Sequence, residues 1–163
     1  MDDTDKKKLP RKDLPPDARI ETLAVREGLP ATQWGENSEA LFLTSSFNHP
    51  DAATAAARFA NEEEAFVYSR FTNPTTMMFE RRLAALEGTE AAIATASGQA
   101  ALHLAIATLM GAGGHIVASA SLYGGSHNML NYTMPRFGIT TTFVDVRRPE
   151  AFAAAIRPET RLL

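Results

Sequence analysis

An α/β fold is predicted, with a mostly parallel sheet carrying helices on both faces, and three observations predict it. Short apolar runs of strand length recur at Ala91–Thr95 (AAIAT), His115–Ser119 (HIVAS) and Thr140–Val144 (TTTFV). Helical stretches separate them and lead to Arg161-Leu162-Leu163, giving the order β-α-β-α-β-α-β, which implies parallel strands joined by crossovers. The first two runs lack an apolar/polar alternation, as strands covered on both sides do.

Composition narrows the function classes. A chain of 163 residues that is 45% hydrophobic is long enough for a real core. A net charge of −3 and a pI near 5.8 argue against nucleic acid or an anionic membrane surface as partner. With no cysteine there is no disulfide framework, thiolate metal site or cysteine nucleophile. The amino terminus, MDDTDKKKLPRKD, places charges where a signal peptide needs apolar residues, and no apolar run is long enough to span a membrane. A cytoplasmic location is expected. All four lysines, Lys6, Lys7, Lys8 and Lys12, lie in the first twelve residues, so the folded part offers no amine for covalent chemistry.

Residues 1–19 are charged and proline-bearing and are expected to form a disordered tail. Residues 20–65 form an arm with short helices. Ile20–Glu27 has helical spacing and stops at Gly28, Trp34–Asn37 is loop, Ala40–Phe47 is extended, and Pro50–Ala60 is helical behind an Asp51 cap. Asn73 and Pro74 cap and open the next helix, which ends at Gly88 and carries Phe79, Leu83 and Leu86 on one face. Just before it, Tyr68 and Arg70 alternate along an extended piece and point to one side, a geometry that suits a phosphate because guanidinium binds it in bidentate fashion. A surface Tyr and Arg beside a helix start is the simpler alternative.

The stretch Ala91–Met110 carries the strongest local signal. After the first strand and a turn at Ala96-Ser97-Gly98, a helix runs to Met110 that is apolar almost all round and is therefore expected to be buried, with only its end exposed to a ligand. Ser97 is a suitable N-cap, and the N–H groups from Gly98 and Gln99 onward have no partners inside the helix, which makes an anion site. A plain capped strand-turn-helix is the alternative. Gly111–Gly114 then stops the chain before the second strand. The loop SLYGGS (Ser121–Ser126) follows that strand, and a helix runs on to about Phe137, with Pro135 at a last turn or kink. Pro149–Ile156 is the helix after the third strand. In parallel α/β sheets ligands sit beyond the carboxyl ends of strands, so the Ser97-Gly98-Gln99 and Tyr123-Gly124-Gly125 loops share an edge, and Tyr123 becomes a flat partner for an aromatic ligand.

Other chemistries lose their signals. His49, His103, His115 and His127 lack metal-ligand spacing, and no G-x-G-x-x-G or G-x-x-x-x-G-K-[ST] follows a strand. Ser97 sits in A-S-G-Q rather than a nucleophile elbow.

Three motifs in order, YSRFTNPT (Tyr68–Thr75), ATASGQAA (Ala94–Ala101) and LYGGS (Leu122–Ser126), together resemble the Cys/Met-metabolism family of pyridoxal-phosphate enzymes, from about Ile20 to Leu163. SEALFLTSSF and TMPRFGITTTFVD are most similar to the sulfhydrylases that act on O-succinyl- or O-acetylhomoserine. The resemblance implies a fold type I, aspartate-aminotransferase-like large domain, of which residues 66–163 are the first, incomplete part. It implies that Ser97, Gly98 and Gln99 hold the phosphate of pyridoxal 5′-phosphate and that Tyr123 stacks on the pyridine ring and helps move protons. Tyr68 and Arg70 would reach the phosphate of a neighbouring subunit in a dimer of dimers. The implied reaction is γ-replacement of the acyl group by sulfide to give homocysteine, in methionine biosynthesis. The family's Schiff-base lysine, pyridine-pairing aspartate and substrate-carboxylate arginine have no counterpart here, and Asp145 sits too early in the pattern to be that aspartate. The chain is thus expected to be an inactive amino-terminal fragment. Cystathionine γ-synthase or a methionine or cystathionine γ-lyase is the alternative within the family. A non-catalytic fragment that binds a partner subunit or an anion is the alternative outside it.

Overall fold

The computed structural model describes residues 14–15, 17–29 and 36–163. The expected tail falls mostly outside them, as do Trp34 and Gly35 of the Trp34–Asn37 loop. The chain packs as two units, one ending at Ala94 and the other running from Thr95 to Leu163.

In the first unit, helix α1 (Ile20–Arg26) packs on α3 (Pro74–Glu87), with α2 (Ala52–Phe59) between them in sequence. Gly28, just past α1, adopts φ +76° and lies so close to α3 that a Cβ would stand 2.7 Å from the Met78 carbonyl oxygen. Only glycine meets both conditions. Arg82 of α3 reaches back, donating from Nε to the Glu27 carbonyl at 2.9 Å and pairing with the Glu39 carboxylate. The expected caps form: Asp51 accepts from Thr54 N–H at 2.7 Å, Asn73 accepts from Thr75 N–H at 2.9 Å, and Gly88 closes α3 in the left-handed region. The buried face of α3 differs from the expected one. Met78 and Ala84 are buried, whereas Phe79 is 57% exposed, because α1 covers the side that carries Gly28's neighbour Met78.

The arm is laced to the segment before α3. Phe42 N–H donates to Thr75 Oγ1, whose own hydroxyl donates to the Ala40 carbonyl. Ser69 donates from its N–H to the Ser45 carbonyl and from its hydroxyl to the Thr44 carbonyl. Buried Asn73 donates to both the Phe42 carbonyl (3.0 Å) and Ser69 Oγ (2.9 Å). The line that the sequence draws at Phe66 therefore runs through one compact unit.

Ala91–Thr95 is a correction. It forms no strand among the described residues; Ala94 N–H donates instead to the Glu80 side chain at 2.7 Å, and Ile93 is 76% exposed. Composition can favour a strand, but a strand also needs a neighbour to bond.

The second unit holds α4 (Gly98–Leu109), β1 (His115–Ser119), α5 (Gly124–Asn128), β2 (Thr140–Val144), α6 (Pro149–Ala154) and β3 (Thr160–Leu162). The strands form a parallel sheet in the order β2-β1-β3, with His115 opposite Thr140 and Ala118 opposite Phe143. After α5 the helix loosens into a π turn (Met129–Thr133) and tightens into a 3₁₀ turn (Met134–Phe137). Pro135 has no N–H to bond one turn back, so the helix cannot continue regularly through it. Ile116 and Ala118 project from β1 into a core with Ile106 of α4 and with Met129, Leu130 and Met134. Only part of α4 is covered, contrary to expectation: Ile106 is fully buried, while Leu104 and Leu109 are 44% and 59% exposed. No helix among the described residues is long and apolar enough to cross a membrane.

On the opposite face of β1, buried His115 joins all three strands. Its Nδ1 lies 2.8 Å from Thr160 Oγ1 and its Nε2 lies 2.9 Å from Thr142 Oγ1. Burial pushes the imidazole pKa below 6.5, the Arg157 charge adds to that, and Glu159 opposes it. The unfolded chain thus binds this proton more readily. Stability contributed by neutral His115 is present above about pH 6.5 and is lost as pH falls through the lowered folded value. Urea midpoints should fall below that pH, and His115→Gln should flatten the slope; an unchanged slope in the variant would refute the assignment. Asn73→Ala should cost about 2 kcal/mol from the lost cap and two lost donor bonds, with faster hydrogen exchange at Phe42 N–H. Exchange and stability both unchanged would show that the arm is held elsewhere.

Candidate functional site

The amino end of α4 is built by Ser97. Its backbone is extended, its Oγ accepts from Ala100 N–H at 3.2 Å, and its carbonyl accepts from Ala101 N–H. A hydroxyl that accepts in this way keeps its own O–H to donate. Gly98 and Gln99 open the helix, and their N–H groups have no carbonyl one turn earlier. A Cβ on Gly98 would meet nothing within 4 Å, so the backbone is open to a ligand at that point. Hydroxyl, two amides and the positive end of twelve residues of helix form a donor set that suits a phosphate.

The loop after β1 joins this end through side chains. Gln99 Nε2 donates to Ser126 Oγ at 3.0 Å, across 27 residues of sequence. Tyr123 precedes α5, accepts from His127 N–H through its carbonyl, and leaves its side chain 78% exposed. His127 turns away to stack on Phe143 at 4.4 Å, so it is a packing residue rather than a group on the helix surface.

In the first unit Tyr68 forms an isolated antiparallel bridge with Ser46. The chain then turns instead of staying extended, because both Phe71 N–H and Thr72 N–H bond the Tyr68 carbonyl. The turn still brings Tyr68 and Arg70 together: the guanidinium lies 4.7 Å from the Phe71 ring centre and 5.4 Å from that of Tyr68. Among the described residues nothing accepts from the Arg70 N–H groups. Arg147, in contrast, is engaged in a two-pronged pair with Asp145, whose carboxyl that bond holds below its usual range; Asp145 is a turn residue.

The structure thus groups Ser97, Gly98, Gln99 and Tyr123 in one unit, and Tyr68 with Arg70 in the other. Ser126 and Ser69 lie inside the LYGGS and YSRFTNPT motifs, but the motifs do not show what they bond. Their partners, Gln99 and the Thr44 carbonyl, are distant in the chain, and no local pattern marks them.

Comparison with known proteins gives a consistent result. Residues 21–163 match the family described as Cys/Met metabolism PLP-dependent enzyme. O-succinylhomoserine sulfhydrylase of Pseudomonas aeruginosa is 46% identical over 145 residues, covering 89% of this chain and 36% of the relative. O-acetyl-L-homoserine sulfhydrylase of Leptospira meyeri is 44% identical over 149 residues, covering 91% and 34%. A candidate O-acetylhomoserine (thiol)-lyase of Campylobacter jejuni, solved with N′-pyridoxyl-lysine-5′-monophosphate, superposes with a TM-score of 0.81 at 30% identity, covering 88% of this chain and 36% of that one. The chain therefore spans about a third of the length of these relatives.

Proposed function

The chain belongs to the Cys/Met metabolism family of pyridoxal-phosphate-dependent enzymes, with the fold type I architecture of its solved relatives, and on that premise we propose that the whole protein replaces the acyl group of O-succinyl- or O-acetylhomoserine with sulfide. The single observation that carries the reading within the molecule is the open α4 terminus, where the N–H groups of Gly98 and Gln99 and the Ser97 hydroxyl form a phosphate-shaped donor set. When bound, pyridoxal 5′-phosphate supplies an electron sink for carbanion chemistry.

This chain's residues bind and orient. Ser97, Gly98 and Gln99 hold the phosphate against the helix dipole. The exposed Tyr123 ring would stack on the pyridine, and its hydroxyl would hold or pass a proton. Tyr68 and Arg70 supply a second set of phosphate donors to a neighbouring subunit in a homo-oligomer. Residues 13–163 contain no lysine, so the covalent step is not assigned to them. A γ-lyase differs in releasing the γ-substituent without an incoming thiol.

Incubation of the whole protein with each homoserine ester and sulfide should yield homocysteine, with no 2-ketobutyrate in the absence of sulfide. Ketobutyrate as the main product would replace the sulfhydrylase reading with a γ-lyase. Arg70→Ala should weaken cofactor retention in equilibrium dialysis about tenfold to a hundredfold, from loss of a charged contact worth ~1.5–3 kcal/mol, with circular dichroism unchanged. Unchanged affinity would remove Arg70 from the clamp.

A further inference from the structure

We propose that Gly125 is a positioning residue whose missing side chain is the seat of the Tyr123 ring. A Cβ built on Gly125 would stand 2.8 Å from Tyr123 Cε1 and 3.3 Å from Cδ1. One edge of the ring therefore occupies the space that any side chain at 125 would take. The same Cβ would lie 3.3 Å from Gln99 Nε2, the atom that bonds Ser126 Oγ. Gly125 thus lies between the ring edge and the Gln99–Ser126 link, and the ring, 78% exposed, has a neighbour along one edge of an otherwise open surface. The adjacent Gly124 has nothing within 4 Å of its Cβ position, so the constraint belongs to one glycine of the pair.

Both glycines are in α5, and neither has the positive φ that would strain alanine. Alanine at either site brings the same gain in helix propensity. The clashing atom at 125 is the far end of a mobile side chain, so the ring moves before the backbone does. Gly125→Ala should therefore displace Tyr123 without unfolding the unit. The functional consequence rests on the assignment of Tyr123 to the pyridine ring.

The test uses the whole protein with ring-labelled tyrosine, and pyridoxamine 5′-phosphate as probe, which has no aldehyde to react with a lysine. In Gly125→Ala the Tyr123 ring signals should shift while those of Tyr68 and Tyr132 hold, and Gly124→Ala should leave all three in place. Pyridoxamine phosphate should bind Gly125→Ala about three- to tenfold more weakly, from loss of an aromatic contact, while inorganic phosphate binds equally. If Gly125→Ala lowers the melting midpoint, Tyr123→Leu/Gly125→Ala should restore it, since no ring remains to clash. Equal Tyr123 shifts in the two alanine variants, or a double variant as unstable as the single, would overturn the seat. A displaced ring with unchanged pyridoxamine phosphate binding would overturn its role in positioning. Wild-type protein that holds pyridoxamine phosphate no better than inorganic phosphate would overturn the stacking assignment itself, and the ring signals would separate that failure from failure of the seat.

Discussion

Two backbone N–H groups, those of Gly98 and Gln99, open a twelve-residue helix and so have no carbonyl one turn back to accept from them. The arrangement around them follows from that deficit. Ser97 cannot satisfy both amides, because its Oγ is taken by Ala100 N–H, so the helix end is left with donors facing outward. Gly98 keeps the approach clear, and the Gln99 side chain turns sideways to Ser126 instead of folding over its own amide. That sideways bond ties the loop after β1, which carries Tyr123, to the start of α4.

Local chemistry made much of this legible in advance. Caps are short-range devices, and Ser97, Asn73, Asp51 and the left-handed Gly88 were all identifiable from residues within one helical turn. The second and third expected strands were also identifiable, because each is an apolar or β-branched run bounded by glycine or charge. Sequence reasoning failed where the outcome depends on a distant partner. Ala91–Thr95 has strand composition, but pairing is a relation between two segments. The apolar circumference of α4 describes its own surface and not what covers it, hence an exposed Leu104 beside a fully buried Ile106. Similarly, His115 within HIVAS gave no sign of its two threonines, which lie 27 and 45 residues away.

The sheet separates two kinds of polar group by position. His115 begins β1 and the Tyr123 loop follows its end, so the two are separated by about 13 Å of strand. The imidazole serves the cohesion of three parallel strands at their amino edge, where Arg157 also donates to Thr142. The loop that carries Tyr123 follows the carboxyl edge. On the proposed reading, acid sensitivity of the fold and titration of a bound ligand would therefore be distinct effects.

Arg70 shows how a cation is held ready without being used up. A guanidinium presents its face to aromatic rings and its N–H donors around its rim. Stacked on Phe71 and near Tyr68, Arg70 loses rotational freedom through its face while no carboxylate or carbonyl among the described residues takes its rim. The arm reinforces this: Ser69, between the two residues, bonds the Ser45 and Thr44 carbonyls, and Asn73 bonds Ser69 in turn. The hydrogen bonds are thus spent on the backbone and neutral side chains around Arg70, and the charge-assisted donors are conserved. On the proposed reading, an anion at Arg70 would displace no protein partner among the described residues, and the guanidinium could bond it directionally.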